Sequence, residues 1–268
     1  MKETFKLYSK CIPQGGEDVM MHRYSPEIKR GDGAVIIFPG GGYNHRAPHE
    51  GEPYALALNE MGIEAFVVEY RVAPSRYPSP LSDAREAVRV VRKNAETWQI
   101  NPEKIAVMGS SAGGHLASLV ATSRDNISIL DEESSIDNID FLPNAEILCY
   151  PVTDIHSHRG SYEDLLGDKF TDEAMVLSVT PTSLVDKNTA IPTFIWHTSP
   201  DNVVDIKGTY RFAAKLSELG ASVEMHVYPI GGHGLGLANG LYGRATEEYV
   251  QVWIKDLEHW LGLIGWIN

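Results

Sequence analysis

Short apolar runs alternate with stretches of helical periodicity along most of the chain, and their order predicts its architecture. Ala34-Val-Ile-Ile-Phe38 is apolar at every position, the pattern of a strand buried on both faces. Ile63 to Val68, Ala145 to Tyr150, Thr193 to His197 and Ser222 to Tyr228 read as further strands. Helices are predicted between them: Glu52 to Met61 closed by Gly62, Lys207 to Leu219 closed by Gly220, and Arg244 to Leu261. Another is opened by Ser79-Pro80 and places Leu81, Ala84, Val88, Val91, Ala95 and Trp98 on one stripe, with Arg85, Arg89, Arg92 and Lys93 off it. Trp98, on that stripe, is expected in the core. Thr4 to Arg23 alternates loosely around Pro13-Gln-Gly-Gly16, which predicts two antiparallel strands at a sheet edge. The alternation of strand and helix implies the α/β class: a mostly parallel central sheet with helices on both faces, and ligands beyond the carboxyl ends of the strands.

Two stretches depart from this rhythm. Residues 151–190 hold no long periodic segment apart from Asp172 to Leu177 and read as a lid or side wall inserted between strands. Asp125 to Asp140 carries Asp125, Asp131, Glu132, Glu133, Asp137 and Asp140 with no basic residue, which reads as a solvated excursion. The whole chain, 268 residues, is expected to form a single domain. Its net charge of −13 would repel nucleic acid and anionic lipid, so a small molecule is the expected partner. Cys11 and Cys149 are too few for a disulfide framework and read as free thiols, Cys149 within the core. No basic-then-apolar leader and no apolar run near ~18 residues is visible, so a cytoplasmic protein with no membrane contact is expected.

Candidate chemistry centres on Ile105 to Ser118, where an apolar run passes through Gly109-Ser110-Ser111-Ala112-Gly113 into an Ala- and Leu-rich segment. A nucleophile at the apex of so tight a turn leaves no room for a Cβ two residues to either side, which suits Gly109 and Gly113. The bare pattern arises by chance on the order of one time in ten in a chain of this length, so the strand before it and the helix after it carry the argument. A serine hydroxyl needs a base, a group that orients the base, and donors for an oxyanion. His233 lies in the glycine-rich loop Pro229-Ile-Gly-Gly-His-Gly-Leu-Gly straight after a strand, and is the expected base. His115 is expected to pack beneath the site, and His197 and His226 to be structural. His156 and His158 form a weak metal pair without a third ligand, so no metal or other cofactor is expected. Asp154, Asp201 and Asp205 all follow predicted strands; Asp205 is explained as a helix cap, Asp154 precedes the lid, and Asp201 lies one loop before His233. The chain order Ser111, Asp201, His233 is the one used by α/β-hydrolases.

Five stretches carry a resemblance: Pro39-Gly-Gly-Gly-Tyr43, Tyr70-Arg-Val-Ala-Pro74, Gly109 to Gly114, Asp201 to Val204 and Gly232-His-Gly234. From about residue 34 onward the chain resembles the hormone-sensitive-lipase-like and acetyl-xylan-esterase-like carboxylesterases of the α/β-hydrolase superfamily. The resemblance implies a serine esterase acting on short-chain acyl esters, with acetyl groups on a sugar or xylo-oligosaccharide as the expected substrate. It also implies an oxyanion hole from the N–H groups of Gly41 or Gly42 and Ala112, and a substrate-binding role for Tyr43. Pro39 departs from the His that usually precedes the glycines; a backbone hole survives that loss. A small serine peptidase and a non-catalytic binding protein of the same fold are the competing expectations.

Overall fold

A computed structural model describes residues 1–8, 18–124, 136 and 138–268. Its frame is an eight-stranded sheet in the order β1-β2-β4-β3-β5-β6-β7-β8. The strands are β1 Lys2–Lys6, β2 Met20–Tyr24, β3 Ala34–Phe38, β4 Glu64–Val68, β5 Ile105–Ser110, β6 Ala145–Cys149, β7 Thr193–Thr198 and β8 Val223–Tyr228. From β4 to β8 all pairs are parallel, whereas β1 and β2 form an antiparallel edge, as the alternation in Thr4 to Arg23 predicts. The turn expected at 13–16, Cys11, and the carboxylates of the acidic stretch other than Asp140 lie outside the described residues. Asp140 pairs with Arg124 at 3.5 Å.

Strand parity divides the core. Ala34, Ile36 and Phe38 point into one apolar layer with α2 (Ser79–Lys93) and α3 (Ala112–Thr122); Val35 and Ile37 point into the other, with α1 (Glu52–Glu60) and α8 (Trp253–Leu263). Every residue of β3, β4, β5, β6 and β7 is buried, which is why these strands read as mostly apolar runs, with Glu64 in β4 and Glu146 in β6 as buried exceptions. After β6 come the short helices α4 (Arg159–Leu166), α5 (Glu173–Ser178) and α6 (Pro181–Leu184); α7 is Ile206–Glu218, before β8. No helix among the described residues is long and apolar enough to cross a membrane.

Three boundaries differ from expectation. The closing helix begins at Trp253, not Arg244, because Arg244 turns back to donate to the carbonyls of Gly234 and His233, both at 2.7 Å. The helix opened at Ser79 has Pro78, not Ser79, at its cap position and stops at Lys93, where the Asn94 side chain donates to the Val90 carbonyl. Ala95 and Trp98 lie in the turns beyond it. They still pack inward, the Trp98 ring against Phe5 and Phe66. Arg85 and Arg89, off the apolar stripe, are buried nonetheless, both over the Phe141 ring.

Candidate active site

Ser111 stands between β5 and α3 with φ 54° and ψ −121°, a conformation that a non-glycine residue holds only where its surroundings enforce it. A Cβ on Gly109 would lie 2.0 Å from the Gly113 carbonyl oxygen, and one on Gly113 would lie 2.0 Å from that of Phe38. The two glycines are therefore steric requirements of the turn. Because Ala112 is the first residue of α3, its N–H has no acceptor within the helix.

The Ser111 hydroxyl donates to His233 Nε2 at 2.9 Å, and His233 Nδ1–H donates to Asp201 Oδ2 at 2.7 Å. A carboxylate only accepts, so the proton resides on Nδ1 and Nε2 is free to receive one. Asp201 follows β7, and its side chain is fully buried. Oδ1 accepts the N–H groups of Val203 and Val204, each at 2.9 Å, and Oδ2 also takes His197 Nε2–H at 3.1 Å. Burial pushes the Asp201 carboxyl up; the hydrogen bonds from His197 and His233 outweigh it and hold the group well below the usual carboxylate range. The arrangement can move a proton from Ser111 to His233 and stabilise the imidazolium that results.

The glycines after β3 run alongside this turn. A Cβ on Gly40 would meet Ser110 O at 2.7 Å and Ser111 Cβ at 3.1 Å, so the backbone approaches the serine as closely as it can. Gly41 and Gly42 take φ values of 123° and 65°. The loop is braced by Tyr70, whose hydroxyl donates to the Pro39 carbonyl at 2.6 Å, and by Ala73 N–H on the Tyr43 carbonyl at 2.8 Å. The 70–74 segment thus serves the glycine loop. Tyr43 requires a correction: its side chain is 1% exposed and its hydroxyl donates to His115 Nδ1 at 2.7 Å, so the ring is not open to a ligand. His115 is buried beneath, as expected. Its Nε2–H reaches the Val179 carbonyl, and desolvation lowers its pKa to about 4.

The model of the family described as BD-FAE matches residues 21–216. The chain belongs to the BD-FAE family. Among curated relatives, endo-1,4-beta-xylanase B of Butyrivibrio fibrisolvens is 34% identical over 83% of this chain and 35% of its own length. An acetylxylan esterase of Xylanibacter ruminicola is 29% identical over 97% of this chain and 51% of its own. The chain spans about half the length, or less, of these two proteins. The crystal structure of an acetyl ester-xyloside bifunctional hydrolase from Caldicellulosiruptor lactoaceticus superposes with a TM-score of 0.86 at 38% identity, covering 99% of this chain and 97% of that one. The fold of this BD-FAE member is the α/β-hydrolase fold, with β5, the sharp turn and α3 in the places that fold requires.

The competing acids have other duties in this BD-FAE chain. Asp154 pairs with Arg211 at 2.7 Å, and Asp205 caps α7 by accepting the Lys207 N–H at 3.0 Å. His158 caps α4, His156 is exposed, and among the described residues no group of side chains could hold a metal ion. His226 pairs with Glu224 at 2.9 Å, in keeping with a structural role. Sequence reasoning missed the contribution of His197, whose ring positions Asp201 while its Nδ1 accepts from Thr209 at 2.9 Å. The signal available was its place four residues before the acid, at the end of a buried strand.

Proposed function

We propose that this chain is a serine carboxylesterase that removes short acyl groups, acetyl first, from a sugar or xylo-oligosaccharide. The observation that carries the reading is the unbroken hydrogen-bonded line Asp201–His233–Ser111, ending on a hydroxyl held in a strained turn beside three glycines. Ser111 attacks the ester carbonyl while His233 Nε2 takes its proton, and Asp201 keeps the imidazole in the needed tautomer. The N–H groups of Ala112 and of Gly41 or Gly42 receive the oxyanion. His233 then protonates the departing alcohol, and water activated by the same nitrogen releases the acid. Acetylated xylan as the substrate class is supported by the names of the relatives, which include an acetylxylan esterase and an acetyl ester-xyloside hydrolase.

In the same reading the chain is one domain and residues 151–190 wall the site. In support, Tyr162, Leu165, Leu166, Val176 and Val179 join the buried layer that holds α2 and α3. The test is labelling by an organophosphonate together with turnover of an aryl acetate. Both should be present in the parent protein and absent in Ser111→Ala. A folded parent that neither labels nor turns over would refute the enzyme reading and leave a binding protein of this fold.

A further inference from the structure

One buried carboxylate has no part in the steps above. Glu50 ends the short helical turn Pro48–Glu50 ahead of α1 and is 2% exposed. Its oxygens serve two different loops. Oε2 accepts the N–H of Gly40, the residue before the oxyanion glycines, at 2.7 Å; Oε1 accepts the Tyr150 hydroxyl proton at 2.7 Å and lies 3.4 Å from His49 Nε2. Tyr150 and His49 both continue into the loop that carries His233. The Tyr150 oxygen accepts the Gly236 N–H at 3.0 Å, and His49 Nε2–H donates to the Gly234 carbonyl at 2.9 Å. The Tyr150 ring stands nearly edge-on to the His233 imidazole, centroids 5.1 Å apart. Burial works against charge on Glu50, yet the nearby His49 ring and the hydrogen bonds from Tyr150 and Gly40 outweigh it and hold its carboxyl below the ordinary range.

We propose that Glu50 is a positioning residue for acyl transfer, locking the oxyanion loop and the histidine loop into one register through Gly40 on one side and Tyr150 on the other. This rests on the esterase reading above. The donors for the oxyanion and the base for the nucleophile sit on loops far apart in sequence, and both must meet one carbonyl group. A misplacement of about 1 Å between such groups costs on the order of a hundredfold in rate. A carboxylate presents acceptors at both ends of a rigid plane, so it sets the distance between two donors. The amide of Gln has an acceptor at one end only, and must turn N–H protons toward either Gly40 or Tyr150.

The experiment measures kcat and KM for an aryl acetate, with active sites counted by phosphonate titration, in the parent, Glu50→Gln, Tyr150→Phe and the double variant. Tyr150→Phe removes the hydroxyl's contacts with Glu50, Gly236 and Tyr54 and leaves the Gly40 contact. Each single variant should lower kcat per titrated site by about ten- to a hundredfold, with KM within about threefold, because the loops' alignment matters in the transition state more than in the bound ester. The double variant should fall no more than about threefold below the worse single, since both changes cut one chain of contacts. Single variants whose kcat per titrated site stays within about threefold of the parent, whatever their Tm, would overturn the proposal and leave Glu50 a purely structural group. Losses that multiply in the double variant would overturn it too. A folded parent without esterase activity would instead remove the esterase reading on which the proposal stands.

Discussion

Replacing Asp201 by Asn tests the relay at the point where the structure constrains the outcome most. The carboxylate accepts four hydrogen bonds: two backbone N–H groups on Oδ1, and the imidazoles of His197 and His233 on Oδ2. An amide can accept on one side only. Backbone N–H groups cannot change their protonation, whereas imidazoles can change tautomer, so the Asn oxygen must face Val203 and Val204 and its NH2 must face the two rings. His233 Nδ1 then becomes an acceptor and the ring proton moves to Nε2, against the Ser111 hydroxyl, where it blocks proton transfer. The expected loss is ~10⁴ in kcat, the scale found for the same change in serine proteases, or about 5.5 kcal/mol of barrier. The assay is aryl acetate turnover, with circular dichroism and Tm as the check on folding. Asp154→Asn and Asp205→Asn should stay within about tenfold of the parent, since an ion pair and a helix cap lie outside the relay. Asp201→Asn retaining a tenth or more of the parent activity would refute the reasoning.

Acetate and propionate aryl esters should exceed the octanoate in kcat/KM when the leaving group is held constant; the opposite order would point to lipid substrates. Burial pushes the Glu146 carboxyl up from the ordinary 4.5 to about 7, and its Oε2 has no hydrogen-bond partner among the described residues. The folded chain therefore binds more protons than the unfolded one between these values, and Glu146 destabilises progressively as pH rises through that window, by about 3 kcal/mol at pH 8. Glu146→Gln should raise Tm at pH 8 and leave it unchanged near pH 4; an equal gain at both would show that burial of charge is not the cause. Gly113→Ala, whose Cβ would press on the Phe38 carbonyl, should yield no folded protein. Gly262→Ala, with open space around the added methyl in α8, should be neutral or stabilising by up to about 1 kcal/mol, as read from denaturant midpoints.

Much of the fold and the line of the candidate site were legible because the signals are local. An apolar run such as Ala34–Phe38 declares burial on both faces, and Gly-x-Ser-x-Gly between strand and helix declares a steric demand that the Gly109 and Gly113 contacts bear out. Chain order then pointed to Asp201 and His233 without any coordinate. Helix ends were less legible. Arg244 and Asn94 make their decisive bonds to carbonyls, and a helical pattern does not reveal which carbonyl a side chain will seek. The Tyr43 ring differs from expectation for a related reason. The family resemblance implies contact with substrate, but the left-handed φ of 67° at that residue accompanies a ring turned inward onto His115.

The sequence by itself determined the class of fold, the order of its strands and helices, and the identities of the nucleophile, base and acid candidates, because each depends on periodicity, on residues a few positions apart or on the order of loops along the chain. Only the tertiary structure decided what surrounds them. His197 supports Asp201 across a strand end; Glu50 joins Gly40 to Tyr150 and, beyond it, to Gly236; Arg85 and Arg89 are covered by Phe141. These contacts mostly link residues tens of positions apart, and a buried polar side chain takes whichever partner the packed backbone brings within about 3 Å, which no local pattern encodes.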